Sequence, residues 1–226
     1  MYVLIDGMDT EEYKLRVTSL PSIQIAQKRV QLITIPGRSG YLTQWDGSYE
    51  EVVKTTAFFY KDKFPEQIAQ MILEGRTITF SNEPDKVYDY RIDISTDLIK
   101  TISPWHQFEV QFICNPVKRE HNPEIITASA SPIRLISPCN HPAYPTFTLT
   151  GTGNVELAVG GQEISLTDIS PSITIDGDLM DCYQGTALTN GKMTGDFPVI
   201  DPGETIDIGW TGSVSKIEVL PNWRWV

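Results

Sequence analysis

RVQLITIPGRSGYLTQWDGSYEEVVKTTAFFY, residues 29–60, decides how the chain is read. It alternates through Val30, Leu32 and Ile35, breaks at Pro36-Gly37-Arg38-Ser39-Gly40, crosses Tyr41–Tyr49, and resumes as a strand from Val52 to Tyr60. Two turn signals lie seven residues apart, each with a glycine where φ can become positive. The piece between them is too short for a helix and too rich in aromatics for a loose loop. The stretch predicts a projecting β-hairpin or crossover arm rising from a sheet. Such an arm either caps its own core or reaches a neighbouring subunit.

Toward the N-terminus, Tyr2–Ile5 reads as a first strand ended by the turn pair Asp6-Gly7. Tyr13–Leu20 alternates weakly and stops at Pro21, and Ile23–Ile35 is strand-like with an exposed basic pair, Lys28-Arg29. Beyond the arm, Pro65 suits a first helical turn, Ile68, Ala69, Ile72 and Leu73 share a face, and Gly75 stands where a C′ residue belongs. Arg76–Phe80 follows as a strand. Val87–Ser95 puts Tyr88, Tyr90, Ile92 and Ile94 on one face, and Trp105–Cys114 points Phe108, Val110, Phe112 and Cys114 inward. The first part is thus a β-sheet or sandwich domain with one packed helix.

Asn115–Glu124, polar and bracketed by Asn-Pro pairs, reads as a linker. After it come short runs: Ile125–Ala128, Ile133–Ser137, Thr146–Gly151, Asn154–Val159, Gln162–Leu166, Ser172–Ile175, Met180–Tyr183, Glu204–Trp210 and Val214–Leu220. Eleven of the 16 glycines lie in this half, where short strands at turn-rich intervals indicate a sandwich or jelly roll. The fold expected is mainly β, with domains 1–120 and 121–226.

The charge divides at the same place. Up to Glu120 there are 14 lysines and arginines against 17 acids; from His121 onward there are 4 against 12. A net charge of −11 argues against specific nucleic-acid binding, which needs clustered cations to displace counterions. No apolar run approaches the roughly 18 residues of a membrane span. The N-terminus lacks the basic and apolar regions of a signal peptide, so synthesis in a cytosol is the expectation. Cys114, Cys139 and Cys182 are an odd count without close spacing. They fit buried reduced thiols better than disulfides or a zinc site.

Little of the sequence is suited to catalysis. Cys139-Asn140-His141 sits in a Pro-rich segment, and neighbours in sequence rarely form a nucleophile–base pair. Gly151-Thr152-Gly153 and Gly160-Gly161 are too short to cradle phosphate, and no Lys-Ser/Thr follows PGRSG. Asp176, Asp178 and Asp181 can chelate calcium or supply a glycosidase pair, but an Asp-Gly hairpin with solvated acids is the simpler reading. Trp210, Trp223 and Trp225 can stack on sugar rings, although their strands must also build a core. The chain reads as non-enzymatic, with neither cofactor nor metal.

PGRSG-Tyr-Leu, then Asp46-Gly47, a strand ending Phe-Phe-Tyr, a short helix before RTITFSNEPDKVYDYRI, and a Gly-rich domain containing GDFPVIDPGETIDIGWTG together resemble the distal tail protein (Dit) family of long non-contractile-tailed bacteriophages. The resemblance covers essentially the whole chain. It implies a baseplate hub at the distal end of the virion tail. The first domain would form a hexameric ring around a channel for DNA, and the second would be a galectin-like β-sandwich outside it. The partners implied are further copies of the chain, the tail tube protein, the tail-associated tip protein and receptor-binding proteins. Arg38, Tyr41 and Trp45 would then be ring-interface residues, and acids facing the lumen would repel DNA. At 226 residues the chain has no room for the inserted carbohydrate-binding module of larger members. A lectin-like module contacting the host cell wall is the alternative function.

Overall fold

The computed structural model describes residues 1–60, 65–92 and 107–226. Two compact units emerge, Met1–His121 and Asn122–Trp225. The ends of two expected strands, Asp93–Ser95 and Trp105–His106, lie outside the described residues.

The first unit contains β1 (Val3–Ile5), β2 (Met8–Asp9), β3 (Leu15–Ser19), β4 (Lys28–Thr34), β5 (Tyr41–Tyr49), β6 (Val52–Tyr60), α1 (Pro65–Glu74), β7 (Thr77–Phe80), β8 (Lys86–Arg91), β9 (Gln107–Cys114) and β10 (Lys118–Glu120). Its sheet runs β2-β1-β7-β8-β9-β6-β3, with β10 also on β8. β9 alternates as its sequence requires, burying Phe108, Val110, Phe112 and Cys114. These meet Phe58, Phe80, Tyr88 and Tyr90 in an aromatic core, in which Tyr90 meets Phe112 edge to face at 5.0 Å. Ile68 and Ile72 close the core from α1.

Gly75 ends α1 for a different reason from the one expected. It lacks a positive φ; instead, a Cβ there would stand 2.2 Å from the Tyr90 hydroxyl and 2.6 Å from Ile5. That hydroxyl donates to the Ile72 carbonyl at 2.9 Å, capping the helix from the sheet. The expected linker also proves ordered. Lys118–Glu120 pairs with β8, and Lys118 is buried because Glu83 receives its ammonium.

The second unit contains β11 (Ile126–Ala128), β12 (Ile133–Ile136), β13 (Thr146–Val159), β14 (Gln162–Ile169), β15 (Ser172–Asp176), β16 (Asp181–Gln184), β17 (Ala187–Leu188), β18 (Met193–Thr194) and β19 (Thr205–Leu220). Four of the expected short strands merge into two long ones. β13 and β19 run antiparallel through register shifts at Thr150/Gly151 and Thr152/Val155. Their first and second halves carry different neighbours: β11 and β15 on one side of the irregularity, β12 and β14 on the other. Phe147, Leu149, Ile173, Ile175, Ile217 and Val219 from one half share a core with Val155, Leu157, Ile164, Leu166, Ile206 and Ile208 from the other. Glycine is required where the strands cross. A Cβ at Gly151 would lie 2.2 Å from the Ser213 carbonyl oxygen, and one at Gly212 would lie 2.5 Å from that of Asn154.

Candidate assembly interface

β4 and β5 form a separate two-stranded sheet that, among the described residues, pairs with no other strand. All seven residues of β4 are exposed, as are Tyr41–Gly47 of β5. Directly opposed residues share a face of an antiparallel ribbon, and the register pairs Val30 with Trp45, Leu32 with Thr43 and Thr34 with Tyr41. The other face carries Gln31 with Gln44 and Ile33 with Leu42. Apolar side chains therefore stand on both faces. Tyr41 is 67% exposed and Trp45 46%, while Ile25, in the segment leading into the arm, is 82% exposed. Uncovered apolar surface on both faces of one element makes the arm the candidate interaction site.

The arm is built stiff at its root. Asp46-Gly47, read from sequence as a second turn, is instead a bulge inside β5, where one residue of β4 faces three of β5 and Gly47 takes φ 91°. Asp46 Oδ1 accepts from the Ser48 hydroxyl at 2.6 Å and the Ser48 N–H at 2.9 Å. Those two bonds hold its carboxyl below the usual range. Trp45 Nε1 donates to the Ser48 carbonyl at 2.8 Å, its ring meets Tyr49 edge to face at 5.8 Å, and the Lys28 ammonium lies 4.5 Å from the ring centroid. Glu50 accepts from Arg29 at 3.3 Å, and its N–H donates to Gln27.

Beneath this root lies a buried charge cluster. Lys54, on β6, donates to the Ser22 carbonyl at 3.0 Å and faces Glu83 Oε2 at 3.5 Å. Glu83 also accepts from Lys118 at 2.8 Å and the Tyr88 hydroxyl at 2.6 Å. Asn82 Nδ2 donates to the Pro21 carbonyl at 2.8 Å, so the chain entering the arm is pinned at consecutive carbonyls. Burial depresses the Lys54 ammonium, an effect the Glu83 charge opposes. Burial raises the Glu83 carboxyl, but hydrogen bonds from Lys118 and Tyr88 and the charges of both lysines leave it below its ordinary value.

Of the residues singled out from sequence, Tyr41 and Trp45 share one face of the arm. Arg38 stands at the tip, where its N–H closes the turn on the Ile35 carbonyl at 3.1 Å. Val30, Leu32, Ile33 and Leu42 complete the apolar surface, and sequence reasoning passed over them as ordinary strand residues. Their signal was apolar positions on both parities of a strand that has no covering layer.

The proposed sugar-stacking residues fare differently. Trp223 is 8% exposed, and a buried ring offers no face to a sugar, which corrects that expectation. Trp210 and Trp225 pack against the same core, with Trp225 Nε1 reaching the Pro138 carbonyl at 3.3 Å. Asp176 accepts from the N–H groups of Asp178 and Leu179 at 3.0 Å each, Asp178 pairs with Arg224, and Asp181 accepts from Asn190. These carboxylates hold a hairpin turn. Among the described residues no group of three metal-ligating side chains converges, and no helix is long and apolar enough to cross a membrane.

No family model matches the chain, and neither does any curated protein sequence. Its fold matches the crystal structure of SPP1 Dit (gp 19.1), described as a paradigm of the hub adsorption apparatus of phages infecting Gram-positive bacteria. The TM-score is 0.70 at 13% identity, over 96% of each chain. The fold of this chain is therefore similar to that of SPP1 Dit over nearly all of both chains.

Proposed function

We infer that this chain is a structural hub protein of a phage tail tip, acting by assembly rather than by chemistry. The observation that carries the reading is the projecting hairpin with apolar side chains on both faces, set on a fold that matches SPP1 Dit over nearly all of both chains. A monomer in water gains nothing from such an arm; an assembly gains apolar burial at roughly 25 cal/mol per Å². The ring is hexameric and joins the tail tube to the tail-associated tip protein, leaving a channel for DNA. Heterologous contacts that close under rotation give such a ring without free edges. The chain is then located at the distal end of the virion tail. The arm does not supply an acidic lumen, since residues 28–49 carry Lys28, Arg29 and Arg38 against Asp46. Any charge repulsion of DNA comes from elsewhere on the chain.

Light scattering of the full-length chain, with negative-stain images of the same fractions, tests this. Six-fold particles with a central hole are expected, and Arg38→Ala with Trp45→Ala shifts the mass toward monomer. A wild-type chain that stays monomeric at every concentration overturns the reading.

A further inference from the structure

The first unit holds a second surface with the opposite character to the arm tip. A groove of about 530 Å³ lies between the outer side of α1 and the β1–β2 turn, with Met8, Tyr13 and Met71 among its apolar walls and Gln70, Glu74 and Asp6 among its polar ones. Met8 and Tyr13 are substantially exposed, and the Tyr13 hydroxyl rests on Met8 Sδ at 3.2 Å. Glu74 accepts from Gln70 at 2.9 Å, and no ion pair engages it among the described residues. Asp6 and Glu74 are the acids that line the groove, and the Asp6 carboxylate already accepts from the Arg76 and Thr77 N–H groups. The flanking segments, residues 6–14 and 66–76, add Asp9, Glu11, Glu12 and Glu66 against Lys14 and Arg76.

The arm tip presents the complement. Ile35, Tyr41 and Leu42 are exposed around a turn whose single charge is Arg38, which makes no ion pair among the described residues. The other arm cations are engaged at the root, Lys28 over Trp45 and Arg29 on Glu50. An apolar tip with one unpaired cation is complementary in charge to an apolar groove with Glu74 on its wall. Methionine suits such a groove because its flexible, polarisable side chain adapts to the shape it receives.

We propose that this groove receives the arm tip of a second copy of the chain, Tyr41 and Leu42 packing on Met8, Tyr13 and Met71 while Arg38 meets Glu74. The assignment rests on the ring reading above and adds the receiving surface to it. Each copy then gives a tip and offers a groove, a heterologous contact that repeats around a closed ring.

Charge exchange and cross-linking test it on the full chain. Arg38→Glu and Glu74→Arg should each weaken assembly about tenfold, and the two reversals combined should restore most of it. Tyr41→Cys with Met8→Cys, treated with a short bismaleimide, should give a ladder of covalent oligomers, while either cysteine alone gives none; the three native thiols are buried. Rings of wild-type mass that yield neither ladder nor charge rescue overturn the groove and leave the hub reading standing. A wild-type chain that forms no ring overturns the hub reading, and the groove with it.

Discussion

Lys54, a residue 1% exposed, donates its ammonium to the main-chain oxygen of Ser22 across 3.0 Å. The bond joins a core strand to the chain just before it leaves the sheet for the arm. An isolated ammonium is costly to bury, so the lysine is tolerated because Glu83 stands within 3.5 Å and the Tyr88 ring lies below it, 5.0 Å from the ammonium. The arm's root is thereby fixed by the same cluster that organises β6, β8 and β10.

Glu83→Ala should be the most damaging polar substitution in the first unit. It leaves Lys54 and Lys118 buried without their carboxylate, which costs about 3–5 kcal/mol. Lys54→Met, which removes one cation and keeps the Lys118–Glu83 pair at 2.8 Å, should cost less. Urea denaturation of the two variants checks the order; an unchanged midpoint for Glu83→Ala would contradict it.

The same carboxylate gives stability a pH dependence of known sign. Its folded pKa lies below the ordinary 4.5, so it releases its proton more readily folded than unfolded. Its contribution is complete above that value and is lost as pH falls through the lower, folded one. Denaturation midpoints should drop through that acid window in the wild type, and Glu83→Gln should flatten this part of the profile.

Gly47→Val separates folding from assembly. Gly47 holds φ 91°, a conformation that costs a β-branched residue about 1–2 kcal/mol, and no atom outside its chain neighbours comes within 4 Å of its added Cβ. The bulge should reorganise and change the register between Lys28 and Tyr49, with the core of the unit untouched. Circular dichroism should match the wild type while light scattering reports a lower mass.

Gly151→Val should instead unfold the second unit, because its Cβ meets backbone, the Ser213 carbonyl oxygen, at 2.2 Å. A loss exceeding ~3 kcal/mol is expected, at the upper end for single substitutions. Tryptophan fluorescence during denaturation follows it through Trp210, Trp223 and Trp225.

Thiol reagents should leave the folded chain unlabelled at neutral pH. Cys114, Cys139 and Cys182 are all buried, and burial pushes the Cys114 thiol up to about 12. Denaturant should expose three reactive groups, counted by mass spectrometry.

The sequence carried most of the fold because most of it obeys simple periodicities. Phe108, Val110 and Phe112 alternate on β9, Ile68 and Ile72 lie one turn apart on α1, and the arm is flagged by Pro36-Gly37 and Gly40. The errors arise where tertiary contacts change the meaning of a residue. Gly151 and Gly212 look like strand breaks, yet they let two long strands pass at close range. Lys118 looks like linker polarity until Glu83, 35 residues earlier in the chain, supplies its partner. The acceptor groove was illegible for the same reason. Met8 and Met71 are 63 positions apart, and no local pattern links them.

β13 and β19 pass through both halves of the second unit, their pairing shifting register between the two. Both strands continue from one half into the other, which couples the two halves through the chain and through their shared core. Amide exchange from Phe147, Leu157, Ile208 and Ile217 should therefore proceed through one shared opening event. Force applied at one edge of this unit is carried along the two strands as shear, instead of peeling one layer away.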